Sequence, residues 1–246
     1  MTTPSPKTEP TEPAAPPTAA DFYQVNRGGG LFSEAVSQHL GSRIAVFANK
    51  HRLAPTVLSV GNLGLSCLVS FVVVAAAGPV ADGTIWAWPV GLLALVGWQA
   101  AYALDCSDGQ LARVTGQAST AGGRTDVLCD VAAQIALVAA LCATAAAQVP
   151  ATPAWLLAAF AGTWMVNLVT SVMQTGAQAS SMVTNSSLPV RVVKLVRDYG
   201  AVIALAGVVL TVAPQWTVWV ICAFTLINGA FLAASIAFSG RQALRG

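Results

Sequence analysis

Charge is what this chain has least of. Only 9% of its 246 residues are Asp, Glu, Lys or Arg, while 55% are hydrophobic and the mean hydropathy is +0.66. Soluble domains carry about 25% charged residues. A water-facing surface cannot be assembled from so few, which excludes an ordinary cytosolic globule, and the same numbers exclude disorder over most of the chain. Strict apolar/polar alternation is missing too. The apolar runs are continuous, rich in Ala, Leu and Val and about 20 residues long, which argues against a membrane β-barrel and for spanning helices. Cysteine is sparse and unpatterned: Cys67, Cys106, Cys129, Cys142 and Cys222 form no CxxC pair and no metal spacing. Three of them fall well inside apolar runs, where Cys behaves as a small hydrophobe. Residues 1–20 lack the apolar core of a signal peptide; their Pro, Thr, Glu and Ala read as a disordered tail, expected over residues 1–30.

Six apolar spans follow: Leu53 to Ala77, Thr84 to Leu104, Val127 to Ala147, Ala154 to Gly176, Val190 to Val212 and Pro214 to Phe238. Each is long enough, at about 1.5 Å per residue, to cross a hydrocarbon core of about 30 Å. Gly78-Pro79, Val149-Pro150 and Ala213-Pro214 punctuate them. All twelve Lys and Arg residues lie before span 1, between spans 2 and 3, at the junction of spans 4 and 5 where span 5 begins, or after span 6; the other loops hold one charge, Asp82. By the positive-inside rule both termini and every basic loop are cytoplasmic. Residues 31–50 are too polar to span, but Phe32, Val36, Leu40, Ile44 and Phe47 recur at steps of three and four, the pattern of an amphipathic interfacial helix. His39 reads as a residue of its polar face. The expected architecture is all-α and integral to the membrane: a tail over 1–30, an interfacial helix over 31–50 and a six-helix transmembrane domain over 51–246.

Four of the ten acidic residues, Asp105, Asp108, Asp126 and Asp130, fall within 26 positions at the cytoplasmic ends of spans 2 and 3. Asp105 and Asp108 are an i, i+3 pair and Asp126 and Asp130 an i, i+4 pair, so each pair shares a helix face. The loop between them is expected to bring the two faces together as an antiparallel hairpin. Four carboxylates beside hydrocarbon repel one another and resist desolvation. An all-oxygen set without His or Cys suits Mg2+ or Mn2+. The competing reading, a structural cluster with Arg113 and Arg124, leaves two of the four charges without a cation. Between the aspartates, Gly109 and Ala112 leave a slot where a flat ring could approach the backbone, Arg113 offers a cation for phosphate oxygens, and Gly122 permits a tight re-entry into the next helix.

Read together, these residues form Asp105-x2-Asp108-Gly109-x2-Ala112-Arg113-x8-Gly122-x3-Asp126-x3-Asp130, eight fixed residues over 26 positions. The pattern resembles the signature of the CDP-alcohol phosphotransferase (CDP-alcohol phosphatidyltransferase) family. The resemblance implies six transmembrane helices after an interfacial helix, and transfer of a substituted phosphate from a CDP-linked donor to an alcohol with release of CMP. It further implies two divalent ions, Mg2+ or Mn2+, on Asp105, Asp108, Asp126 and Asp130, with Asp130 as general base. Gly109, Ala112, Arg113 and Ser119 would contact the nucleotide. At the start of span 1 the family often has Pro-Asn-x-x-Thr against the cytidine; this chain reads Pro55-Thr56-Val57-Leu58-Ser59. Thr56 and Ser59 keep hydrogen-bonding side chains there, and the same residues also read as a plain helix start with Pro in its first turn.

The acceptor is less legible. Many relatives carry Lys or Arg after the last aspartate, whereas here Val131, Ala132, Ala133 and Gln134 follow. Asn167, Ser171, Gln174 and Gln178 make a polar stripe on span 4, read either as an acceptor pocket or as helix–helix hydrogen bonding. Arg191, Lys194, Arg197 and Asp198 make a basic face at the start of span 5, read either as an acceptor pocket for an anionic alcohol or as a topology and headgroup signal. The expected activity is phosphatidyl transfer from CDP-diacylglycerol in phospholipid synthesis at the plasma membrane, the site facing the cytoplasm. The alternatives are an aminoalcohol-type enzyme with a soluble CDP donor and a lipid acceptor, and a divalent-cation transporter or scaffold. Expected partners are the CDP donor, the alcohol, membrane lipids and, by the resemblance alone, a second copy of the chain, with no nucleic acid among them.

Overall fold

The computed structural model describes residues 15–26, 30–173 and 198–244. The described residues are helical throughout their ordered elements, with no strand among them. Helix α1 covers Ala19–Gln24, and a π-wound turn at Ser33–Ser37 leads into α2, Gln38–Lys50. Then come α3 (Pro55–Ala81), α4 (Ala87–Val114), α5 (Thr120–Gln148) and α6 (Ala154–Met173). The last two are α7 (Tyr199–Val212) and α8 (Thr217–Ala243). Four segments are long and apolar enough to cross a membrane: α3, α4, α5 and Pro214–Ala237 of the last helix. Apolar stretches at Ala154–Val166 and Tyr199–Val212 are shorter. The start of the expected fifth span lies outside the described residues.

The boundaries have local causes. Pro55 opens α3 at a position where its missing N–H costs nothing. Gly116, with φ 68°, takes the left-handed turn that ends α4, and Ser119 then caps α5 by accepting from the Gly122 N–H at 3.0 Å. A short loop between the two helices therefore carries the chain from Asp108 to Asp126. Toward the end of α4 remote from its aspartates, α4 and α7 cross with almost no side chain between them. A Cβ on Gly91 would stand 2.2 Å from the Thr211 nitrogen, and one on Gly207 would stand 2.6 Å from the Leu95 Cα. Such small-residue crossings let backbones close up where water exclusion cannot drive association.

The packing departs from a simple hairpin. Helix α3 packs along both α4 and α5, and these two make at most a glancing contact with each other. The two acidic faces thus meet across a gap that α3 backs. The main core, with Val69, Val73, Trp98, Leu137, Leu141, Phe160, Trp164, Ile203 and Phe224, fills the membrane level. A smaller core of Phe22, Ala45, Ala48, Leu58 and Leu111 lies at the carboxylate end.

One expectation needs revising. Within the segment 1–30, expected as a disordered tail, Ala19–Gln24 are helical and Phe22 is completely buried. Asp21 Oδ2 accepts from both the Thr18 N–H and the Thr18 hydroxyl at 2.7 Å, fixing the helix start. The aromatic pair Phe22-Tyr23 supplies the burial that the Pro-rich composition around it does not, and Tyr23 stacks on His39 at 4.1 Å. The helix over 31–50 is present, but the face it turns to the protein is Ser33, Ser37, Gly41, Ser42, Ala45 and Ala48. Val36, Leu40 and Phe47 point outward. Small residues let α2 lie close on α4, where a Cβ on Gly41 would meet the Cys106 Cβ at 2.9 Å.

Asp198 ties this helix to α7. It is 2% exposed and accepts from the backbone N–H groups of Phe32 (2.7 Å) and Ser33 (3.0 Å), from the Ser33 hydroxyl, and from Ala201 N–H in the first turn of α7 (3.4 Å). One carboxylate therefore serves the N-termini of two helices, both of which favour negative charge. Because Phe22 joins α2, α3 and α4 at the carboxylate end, Phe22→Ala is expected to cost about 3–5 kcal/mol. The fall in thermal midpoint of the detergent-solubilised protein measures it.

Candidate active site

The last turns of α4 present Asp105 and Asp108, and the first turns of α5 present Asp126 and Asp130. Asp105, Asp108 and Asp126 each offer a carboxylate oxygen within 4.8 Å of the other two. Across the gap the groups meet in antiparallel register, Asp105 against Asp130 and Asp108 against Asp126. Helix α3 supplies neutral donors. The Ser59 hydroxyl donates to Asp108 Oδ2 at 2.5 Å, and Asn62 Nδ2 donates to Asp130 Oδ1 at 3.2 Å and Asp105 Oδ1 at 3.4 Å. Ser66 in turn donates to Asn62 Oδ1 at 3.2 Å, which fixes the amide with its nitrogen toward the aspartates.

Neutral donors do not balance the charge here. Asp108 is 5% exposed, and Asp126 Oδ1 is sealed from solvent with no hydrogen-bond partner. An unpartnered buried carboxylate oxygen costs several kcal/mol unless a cation meets it. Hard divalent ions take oxygen ligands of this kind, and two such ions would satisfy the whole group. The residues present fit Mg2+ or Mn2+.

The donor-side residues divide. Gly109 lies beside the Arg113 guanidinium, whose Nη1 would stand 2.9 Å from a Cβ at that position, so the arginine folds back along α4 over Gly109. Ala112 is half-buried on the same helix. Ser119 is the exposed N-cap of α5; its oxygen accepts from Gly122 while its hydroxyl proton stays available. Ser59 reaches the site, whereas Thr56, one turn earlier, is exposed. Gln174, Arg191, Lys194 and Arg197 lie outside the described residues.

The model of the CDP-alcohol phosphatidyltransferase family matches residues 52–235, from just before α3 into α8 and including all four aspartates. The chain belongs to that family. Among curated proteins, none matches it. Membership makes the chain a membrane transferase of lipid synthesis, and divalent metals are part of the family's chemistry.

In this family member the residue that sequence reasoning missed is Asn62, which touches two aspartates from opposite sides of the gap. Its signal was present. Ser59, Asn62, Ser66 and Ser70 recur at steps of three, four and four, a polar stripe on a helix that is otherwise apolar, and all four are buried. Tyr102 was also missed. It stands one turn before Asp105, its hydroxyl shares a hydrogen bond with Ser33 at 3.0 Å, and its ring meets Tyr199 edge-on at 4.9 Å. Groups that orient metal ligands from behind commonly carry a factor of about 10–100 in metal affinity. Asn62→Ala is expected to weaken Mn2+ binding by that factor, read by isothermal titration calorimetry on the purified protein.

Proposed function

We propose that the protein transfers a phosphatidyl group from CDP-diacylglycerol to an alcohol, with release of CMP, at the cytoplasmic face of the plasma membrane. The observation that carries this reading is the group of four aspartates backed by Ser59 and Asn62, with one Asp126 oxygen buried and without a hydrogen-bond partner. Six spanning helices, cytoplasmic termini and an interfacial α2 with its outward Val36, Leu40 and Phe47 in the lipid surface complete the proposed topology. The gap between α4 and α5 supports a lipid donor, since acyl chains could lie between helices that do not close on each other.

Asp105, Asp108, Asp126 and Asp130 would hold two divalent ions, whose chemistry is to neutralise the donor diphosphate. Arg113, beside Gly109, adds a fixed cation for phosphate oxygens, and Ala112 and Ser119 border the nucleotide. Ser59 and Asn62 keep the carboxylates oriented and exclude water from their α3 side. Asp130 takes the proton of the acceptor hydroxyl as that oxygen bonds to the phosphatidyl phosphorus and the bond to the CMP oxygen breaks. It is the suited base because both histidines precede α3, and because Asn62, a neutral donor, reaches it from α3. Arg191, Lys194, Arg197 and Gln174 are proposed to receive an anionic acceptor.

Purified protein incubated with CDP-diacylglycerol, Mn2+ or Mg2+ and a panel of alcohols should release CMP. Silence with every alcohol, lipid or soluble, contradicts the reading. Asp130→Asn should lower kcat by about 10²–10⁴, the usual worth of a general base, with CDP-diacylglycerol binding retained. A near-normal kcat at saturating metal and acceptor would remove Asp130 as the base.

A further inference from the structure

One turn beyond Asp130 on α5 lies Gln134, on the same helix face. Its Oε1 accepts from the indole N–H of Trp164 at 2.9 Å. That indole is held rigidly: Trp164 is 3% exposed, stacks on Phe224 with centroids 4.7 Å apart, and meets Phe160 at 5.5 Å and Tyr199 at 6.3 Å edge-on. An indole N–H can only donate, so it forces the oxygen of Gln134 toward α6 and leaves the amide N–H2 on the opposite edge. Side chains on a helix lean toward its N-terminus, and for α5 that direction leads to Asp130. Gln134 is half-exposed although its partner is buried, so its side chain has open space beside it.

The contacts around that space close on themselves. Asn62 joins Asp105 to Asp130, Gln134 follows Asp130 by one turn, Trp164 holds Gln134, Tyr199 packs on Trp164, and Tyr102 packs on Tyr199 one turn before Asp105. The Tyr199 hydroxyl is within electrostatic reach of Asp105 and Asp130. We infer that Gln134, oriented by Trp164, is a specificity residue of the acceptor subsite and donates a hydrogen bond to an acceptor oxygen next to the reacting hydroxyl. The inference rests on the transferase reading above. It selects the acceptor class: a polyol or polyol phosphate offers a lone pair at that position, whereas the ammonium of an aminoalcohol has none to offer.

The test uses the full-length purified protein with CDP-diacylglycerol and Mn2+, and glycerol, glycerol 3-phosphate, inositol and ethanolamine as acceptor probes. Gln134→Ala and Gln134→Glu should raise the polyol KM about tenfold, the loss of one hydrogen bond, with the donor KM and Mn2+ affinity unchanged. Trp164→Phe should move the same parameter by less, since the freed amide can turn. An equal rise in donor KM, or lower thermal stability with an unchanged acceptor KM, would make the pair mere helix–helix glue and overturn the inference. A second readout is independent of turnover. In protein labelled with 5-fluorotryptophan, the 19F resonance lost in Trp164→Phe should shift on saturation with a polyol and stay fixed with ethanolamine. No shift with any polyol overturns the subsite. A shift without CMP release from any probe would sink the transferase reading while leaving the subsite standing.

Discussion

Four carboxylates gathered where three apolar helices meet, and met from α3 by neutral donors, are the constraint around which the rest of this fold is arranged. Like charges at such spacing repel, and their burial removes the water that would otherwise screen them. A bundle relaxed to its own minimum would let α4 and α5 spread or rotate the aspartates outward. Here α3 packs on both helices and reaches the carboxylates with Ser59 and Asn62, so the charges stay aimed into one space. Residues held in this way fit divalent cations, and the packing that holds them would set the affinity of the site.

That packing reaches well beyond the site. Leu58 and Leu111, neighbours in sequence of Ser59 and of Gln110 on α4, share a small core with Phe22, Ala45 and Ala48. The short helix α1 thus pins the ends of α3 and α4 that carry the polar contacts. On the other side, Asp198 fastens the turn that leads into α2 to the start of α7 and places Tyr199 against Tyr102. The close crossing of α4 and α7 at Gly91 and Gly207 sets the distance between those same two helices. Disturbing α1 or the Asp198 caps should therefore be felt at the aspartates without any contact to substrate.

How much was legible in the sequence follows from which physics each feature uses. The aspartates, their spacing and the apolar runs are local patterns, and the family match over residues 52–235 bears out the family they indicated. Asn62 was readable in principle as part of the stripe Ser59, Asn62, Ser66 and Ser70, but its partners come from two other helices, and only the tertiary arrangement selects them. That α3 packs along both α4 and α5 more extensively than these two pack on each other was not readable, because a short loop between two helices ordinarily means that they are close neighbours. The helix α1 was hidden by composition: burial of one phenylalanine decided it, against Pro-rich flanks. The amphipathic helix showed a similar limit. Its apolar stripe was evident, yet the face that packs on protein is the one made of Ser, Gly and Ala, since close approach inside the bundle favours small side chains over large ones.

The central claim is that the carboxylate group is a divalent-ion site assembled across a gap between two helices. Electron paramagnetic resonance of Mn2+ titrated into the purified protein tests it most directly. The account predicts saturable binding of about two ions, as in other two-metal phosphoryl-transfer sites, tightened by CDP-diacylglycerol and lost in Asp108→Asn. Unsaturable binding, or binding that survives removal of the Asp108 charge unchanged, would contradict it.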